Sequence, residues 1–183
     1  MYSLRKISKQ NALLKQDRRT FRTTDLAILW EINNKNTLLT TIKRYIKSNI
    51  LYRIHKGLYS TMPLNKLHPY ELGCALMGPL SYVSTETILQ NHGVIMQNTN
   101  KITLLGKKNQ EHVINNTTYL CRYLAPKYLI NRTGINDQTR YATANQNRAL
   151  ADMEHLNSKY YFDNQQAIDQ NKINQIKQSI GYK

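Results

Sequence analysis

The 183-residue sequence predicts an α+β fold in two domains, residues 1–65 and residues 66–183. Three observations lead there. Apolar residues at helical spacing alternate with short period-two stretches. Pro63 and Pro69 bracket a linker between two patterned regions. The charge is also divided unevenly: residues 1–60 hold 13 Lys and Arg against 3 Asp and Glu, and residues 61–183 hold 13 against 8. Of the net charge of +15, +10 therefore lies in the first domain. An acidic partner surface, above all nucleic acid, suits such a block.

The elements follow in order. Met1 to Gln16 spaces Leu4, Ile7, Asn11 and Leu14 as an amphipathic helix, with Arg5, Lys6, Lys9 and Lys15 outward. Gln16 to Arg22 reads as a polar connection. A short helix starts at Thr23 or Thr24, with Asp25 at its positive end and Leu26, Leu29 and Trp30 inward. Asn33 to Asn36 is a turn-forming run that ends it. A third helix runs from Thr37 to about Ser48, with Leu38, Ile42, Tyr45 and Ile46 as its apolar stripe. Leu51 to Ser60 reads as a β-hairpin turning at Gly57.

The second domain is mixed. Pro69 to Met77 reads as a helix, and Ser81 to Val83 as an extended piece. A helix capped by Ser84 or Thr85 ends at Gly93. Ile95 to Leu105 predicts two strands around Asn98–Asn100, Glu111 to Leu124 is strand-like, and Arg140 to Ala142 predicts another strand. Helices follow at about Ala144 to His155 and Asn164 to Ile180, leaving Gly181 to Lys183 as a tail.

Helix, short helix, turn, helix and basic hairpin within 60 residues is the layout of a winged helix-turn-helix. Only a helix or β-ribbon fits the major groove of DNA, where base identity is displayed. Lys43, Arg44 and Lys47 are candidates for base edges or phosphates, and Thr37, Thr40 and Thr41 for phosphates near the helix start. Arg53, His55 and Lys56 would place the wing on the flanking backbone or minor groove.

Other chemistries find little support. No apolar run approaches the ~20 residues of a membrane span, and the first 15 residues lack a secretory pattern. The expected location is the cytoplasm. Cys74 and Cys121 make neither a disulfide framework nor a zinc spacing, and read as buried reduced thiols. The five histidines have no metal-ligand spacing, and Asp152 and Glu154 diverge on their helix. No phosphate-cradling glycine loop and no nucleophile elbow is present. The expectation is a non-enzyme with no cofactor and no metal.

Phe21 to Ala27, Leu51 to Tyr59, His68 to Leu76, Ser81 to Gly93 and Arg148 to Asp152 together resemble the AbiEi-type antitoxins of abortive-infection, type IV toxin–antitoxin systems. The central Tyr-Val-Ser-Thr-Glu-Thr-Ile-Leu-Gln-Asn-His-Gly stretch, ending at Gly93, is the most specific part. Gln146-Asn147 departs from the Pro-Glu of many members. The resemblance implies an antitoxin-type second domain, binding of duplex operator DNA, repression of its own operon, possible multimers on DNA, and action against a nucleotidyltransferase-like toxin with or without direct complex formation. Within the motifs, Gly57, Tyr82, Ser84, Glu86, His92, Gly93, Arg148 and Asp152 read as architectural, with Ser84 and Glu86 starting a short helix and Gly93 ending it. The alternative is a winged-helix regulator whose second domain senses a ligand or partner, with no toxin. Charge alone would also allow an RNA-binding protein, with Tyr45, Tyr52 and Tyr59 stacking on bases.

Overall fold

A computed structural model describes residues 8–97, 100–137 and 140–182. The chain is mixed α+β and divides into two compact units, Met1–His68 and Pro69–Lys183.

Unit 1 contains α1 (Lys9–Leu14), β1 (Thr20–Arg22), α2 (Thr23–Leu29), α3 (Lys35–Lys47), β2 (Tyr52–His55) and β3 (Leu58–Ser60). The strands form an antiparallel sheet in the order β1-β3-β2. Leu13, Phe21, Leu26, Trp30, Ile32, Leu38, Ile42, Leu51 and Tyr59 make its core. A fully buried Leu or Phe of this kind contributes about 1.5–3 kcal/mol by leaving water.

Three sequence expectations change here. Leu4 and Ile7 lie outside the described residues, and along α1 it is Leu13 that faces the core, while Leu14 is exposed. The Trp30 indole N–H donates to the Lys9 carbonyl (3.1 Å) and ties α1 to the core. The expected polar connection contains β1, whose Phe21 is fully buried opposite Tyr59. Three residues are too few for a period to show. The Asn33–Asn36 run starts α3 and does not end α2, which stops at Leu29 with Glu31 turned to φ +54°. The Asn34 side chain accepts from the Thr37 N–H (3.0 Å), and an asparagine that favours turns is equally a good helix cap.

Unit 2 contains α4 (Pro69–Met77), β4 (Tyr82–Val83), α5 (Glu86–Asn91), β5 (Lys101–Gly106), β6 (Gln110–Ile114), β7 (Thr117–Tyr123), α6 (Pro126–Ile130), β8 (Ile135–Asn136), β9 (Thr143–Ala144), α7 (Gln146–Leu156) and α8 (Gln170–Ile180). Its six-stranded mixed sheet runs β6-β7-β5-β4-β9-β8. The β5/β7 and β4/β9 pairs are parallel and the remaining neighbours antiparallel. Leu72 and Leu76 of α4 are buried as their spacing requires.

Other expectations for this unit are corrected. Among the described residues from Ile95 onward, one strand forms here, β5 (Lys101–Gly106). Val94 and Ile95 instead donate back to the Leu89 carbonyl at the end of α5. Asn98 and Thr99 of the expected turn lie outside the described residues. The strand-like stretch from Glu111 is two strands, joined by Asn115 and Asn116 at φ +48° and +62°. Asparagine tolerates this left-handed region better than most residues, which suits a tight hairpin. The strand expected at Arg140–Ala142 forms at Thr143–Ala144, where Thr143 pairs with Val83. The two helices near the end start later than expected. Asn145 caps α7 by accepting from the Arg148 N–H (2.8 Å), and Asp169 caps α8.

Candidate nucleic-acid interface

α3 carries the basic face. At about 100° per residue, Asn36, Thr37, Lys43, Arg44 and Lys47 all fall within about 60° of Thr40. All six are exposed. Leu38 and Ile42 lie on the opposite side and are buried. Packing of one face into the core therefore forces the other outward.

Thr41 leaves this set. Its side chain is buried, and its hydroxyl donates to the Thr37 carbonyl (2.9 Å). It falls at about 100° from Thr40, beyond the basic sector. The Thr37 hydroxyl donates to the Asn34 side chain (3.3 Å), so Thr37 acts first in the helix cap.

The hairpin supplies a second group. Arg53 and His55 are exposed and alternate with half-buried Tyr52 and Ile54. Lys56 is exposed at the turn. Gly57 has φ +78°, a conformation in which a side chain is strained, and an added Cβ would lie 3.4 Å from the Thr23 hydroxyl. The Gly57 carbonyl accepts from the Thr23 N–H (3.0 Å) and hydroxyl (3.4 Å), so the turn is tied to the start of α2. There the Arg22 N–H donates to Asp25 (2.8 Å).

In unit 1, Arg18 pairs with Asp25 (3.3 Å). Among the described residues, Lys43, Arg44, Lys47, Arg53 and Lys56 have no ion-pair partner. In unit 2, Arg122 pairs with Glu86, Arg132 with Asp137, Arg148 with Asp152, Lys172 with Asp169 and Lys177 with Glu154. The cations of α3 and the hairpin are thus available to an external anion.

The motif residues of unit 2 meet in a buried polar cluster. Arg148 and Asp152 are both 0% exposed and one helical turn apart on α7. Arg148 Nε donates to Asp152 (2.9 Å). Its other nitrogens donate to the Thr133, Asn131 and Tyr128 carbonyls (3.0, 3.2 and 3.3 Å) and to the Tyr82 hydroxyl (2.8 Å). Asp152 also accepts from the hydroxyls of Ser84 (2.7 Å), Tyr82 (3.0 Å) and Tyr182. Burial opposes the Arg148 charge, but Asp152, Tyr82 and Tyr182 outweigh it and hold the guanidinium protonated. Burial, then the Asp152 charge, pushes the Tyr82 and Tyr182 hydroxyls well above the usual tyrosine range, so both serve as neutral donors. Among the described residues no buried side-chain nitrogen or oxygen lacks a partner. A saturated, buried cluster joins β4, α7 and residue 182. It gives no reacting atom access to a substrate.

The start of α5 is built differently from the expectation. Ser84 is turned to Asp152, and Glu86 forms a two-bond ion pair with Arg122. Burial raises the Glu86 carboxyl, but the Arg122 contacts prevail and hold it below its usual range. The α5 cap comes from β5: the Thr103 hydroxyl accepts from the Thr87 N–H (3.0 Å) and donates to the Ser84 carbonyl (2.8 Å). This clamp holds Thr85 at φ +50°, a strained value for a β-branched residue. At the other end, the His92 and Gly93 N–H groups donate to the Ile88 and Gln90 carbonyls, and His92 itself is exposed.

Cys121 is buried as expected, whereas Cys74 is only partly buried. Burial raises Cys74 to about 11 and Cys121 to about 12. Sequence reasoning missed Asn36, which the turn-forming run concealed, and it missed Thr103, Arg122 and Tyr182, whose partners are far away in the chain.

No family model matches this chain, and a comparison with curated proteins gives no match. Among the described residues no helix is long and apolar enough to cross a membrane.

Proposed function

We propose that the first unit is a winged helix-turn-helix that binds duplex operator DNA, with α3 in the major groove and the β2–β3 turn as the wing. One observation carries this reading: among the described residues Lys43, Arg44, Lys47, Arg53 and Lys56 are exposed and have no ion-pair partner, and those of α3 lie opposite its buried apolar stripe. Phosphate neutralisation releases counterions, so such a surface gives strongly salt-dependent affinity. Replacing Lys43, Arg44 and Lys47 together by Ala is expected to reduce the log–log salt slope by up to about three, if all three neutralise phosphates. A gel shift on the chain's own promoter, repeated over a salt series, measures this. An unchanged slope overturns the assignment of α3.

For the whole chain we propose an antitoxin of the type IV kind, a cytoplasmic autorepressor that counteracts a nucleotidyltransferase-like toxin. The motif resemblance supports it. Co-expression with a neighbouring nucleotidyltransferase-like gene tests it. Rescue of growth is expected from the full chain, and also from the Lys43→Ala, Arg44→Ala, Lys47→Ala triple variant if repression and neutralisation are separate. Failure of the full chain to rescue favours a plain regulator.

A further inference from the structure

We infer that Asn36 is a specificity-determining residue of this interface and reads an adenine in the major groove. The inference rests on the reading of α3 as a recognition helix. Asn36 lies in the first turn of α3, exposed, on the same side as Thr40, Lys43 and Lys47. The caps of this turn are already made: Asn34 accepts from the Thr37 N–H and hydroxyl. Among the described residues Asn36 makes no side-chain hydrogen bond, so its amide is available.

The chemistry of the face singles it out. Lys43, Arg44 and Lys47 are donors only, which suits phosphates or the paired acceptors of guanine. The Thr37 hydroxyl is engaged with Asn34, and the buried Thr41 hydroxyl with Thr37. Thr40 has a single hydroxyl. Only the Asn36 carboxamide offers a donor and an acceptor in one plane. Adenine presents the complementary pair in the major groove, an acceptor at N7 and a donor at N6. The N-terminal residues of a recognition helix are those that contact base edges in helix-turn-helix proteins. Position and chemistry agree.

The test is selection of duplexes from a randomised pool by the full chain and its Asn36→Ala and Lys47→Ala variants. Both positions are exposed, and alanine is the better helix former, so folding is preserved. The parent is expected to enrich adenine at a position that Asn36→Ala returns to the composition of the starting pool. Its affinity for the parent's best duplex should fall on the order of tenfold. Lys47→Ala should weaken binding and leave the adenine preference unchanged, since a donor-only side chain does not make the paired contact to adenine. Identical preferences in the parent and Asn36→Ala overturn the inference. So does a parent that binds every duplex equally, although phosphate-driven binding by α3 then stands. A parent that binds no duplex even at low salt overturns both readings.

Discussion

Replacing Asp152 by Ala should be among the most destabilising single changes in unit 2. Among the described residues the carboxylate is the one anion paired with the fully buried Arg148, and it accepts from three hydroxyls as well. Removing one partner of a buried pair leaves an uncompensated charge and costs about 3–5 kcal/mol. Loss of the acceptor for Ser84 pushes the cost toward the upper end, since an orphaned buried hydroxyl costs about 1–3 kcal/mol. Domains of this size are stable by only about 5–15 kcal/mol, so the variant should be close to unfolding. Tyr82→Phe, which removes one bond to each partner, should cost only about 1–2 kcal/mol. Replacing both charges, Arg148→Met with Asp152→Leu, should be less damaging than Asp152→Ala alone. The assay is urea unfolding followed by pulse labelling of Cys121, 1% exposed on β7, in a Cys74→Ala background. Trp30, the single tryptophan, reports unit 1 by fluorescence in the same samples. An Asp152→Ala chain within about 1 kcal/mol of its parent would refute the reasoning. So would a double variant no better than the single one.

Two further outcomes follow from the geometry. Gly134 has φ +74°, and a Cβ there would meet the Arg148 Cβ at 2.8 Å, so Gly134→Ala should lose about 1–3 kcal/mol in the same labelling assay. His155 stacks on the Tyr182 ring at 4.1 Å and edges on Tyr128. Burial lowers its pKa, Lys177 and Lys127 add to the effect, and Asp152 opposes it. The folded state therefore binds this proton less readily than the unfolded chain, whose histidine titrates near 6.5. The resulting stability is present above that value and is lost as pH falls below it through the lower folded-state value. His155→Gln should accordingly flatten the decline in urea stability between about pH 7 and pH 5, and an unchanged decline counts against the stacked geometry.

Local patterns in the sequence account for much of unit 1. The helical repeat of Leu38 and Ile42 implies a buried stripe, and the same repeat sends Lys43, Arg44 and Lys47 outward, so the proposed interface was legible without coordinates. Pro69 to Met77 was legible for the same reason. The boundary at Asn34 was not, because asparagine favours turns and helix caps alike. Nor was β1, because three residues carry no readable period.

The amino-acid order alone therefore determined the uneven charge, the amphipathic helices and the basic face of α3, all properties of neighbours in the chain. Tertiary structure decided which distant residues share a site. Tyr182 looked like the end of a tail, yet its hydroxyl reaches Asp152, and Ser84 looked like a helix cap, yet it does the same. Thr103 caps a helix from a strand 16 residues away. Thr41, counted as a phosphate contact, is turned inward. The physical reason is common to the first three. A side chain's environment depends on which strands pair and which helices cover them, and hydrogen bonds made across such distances leave no period in the sequence.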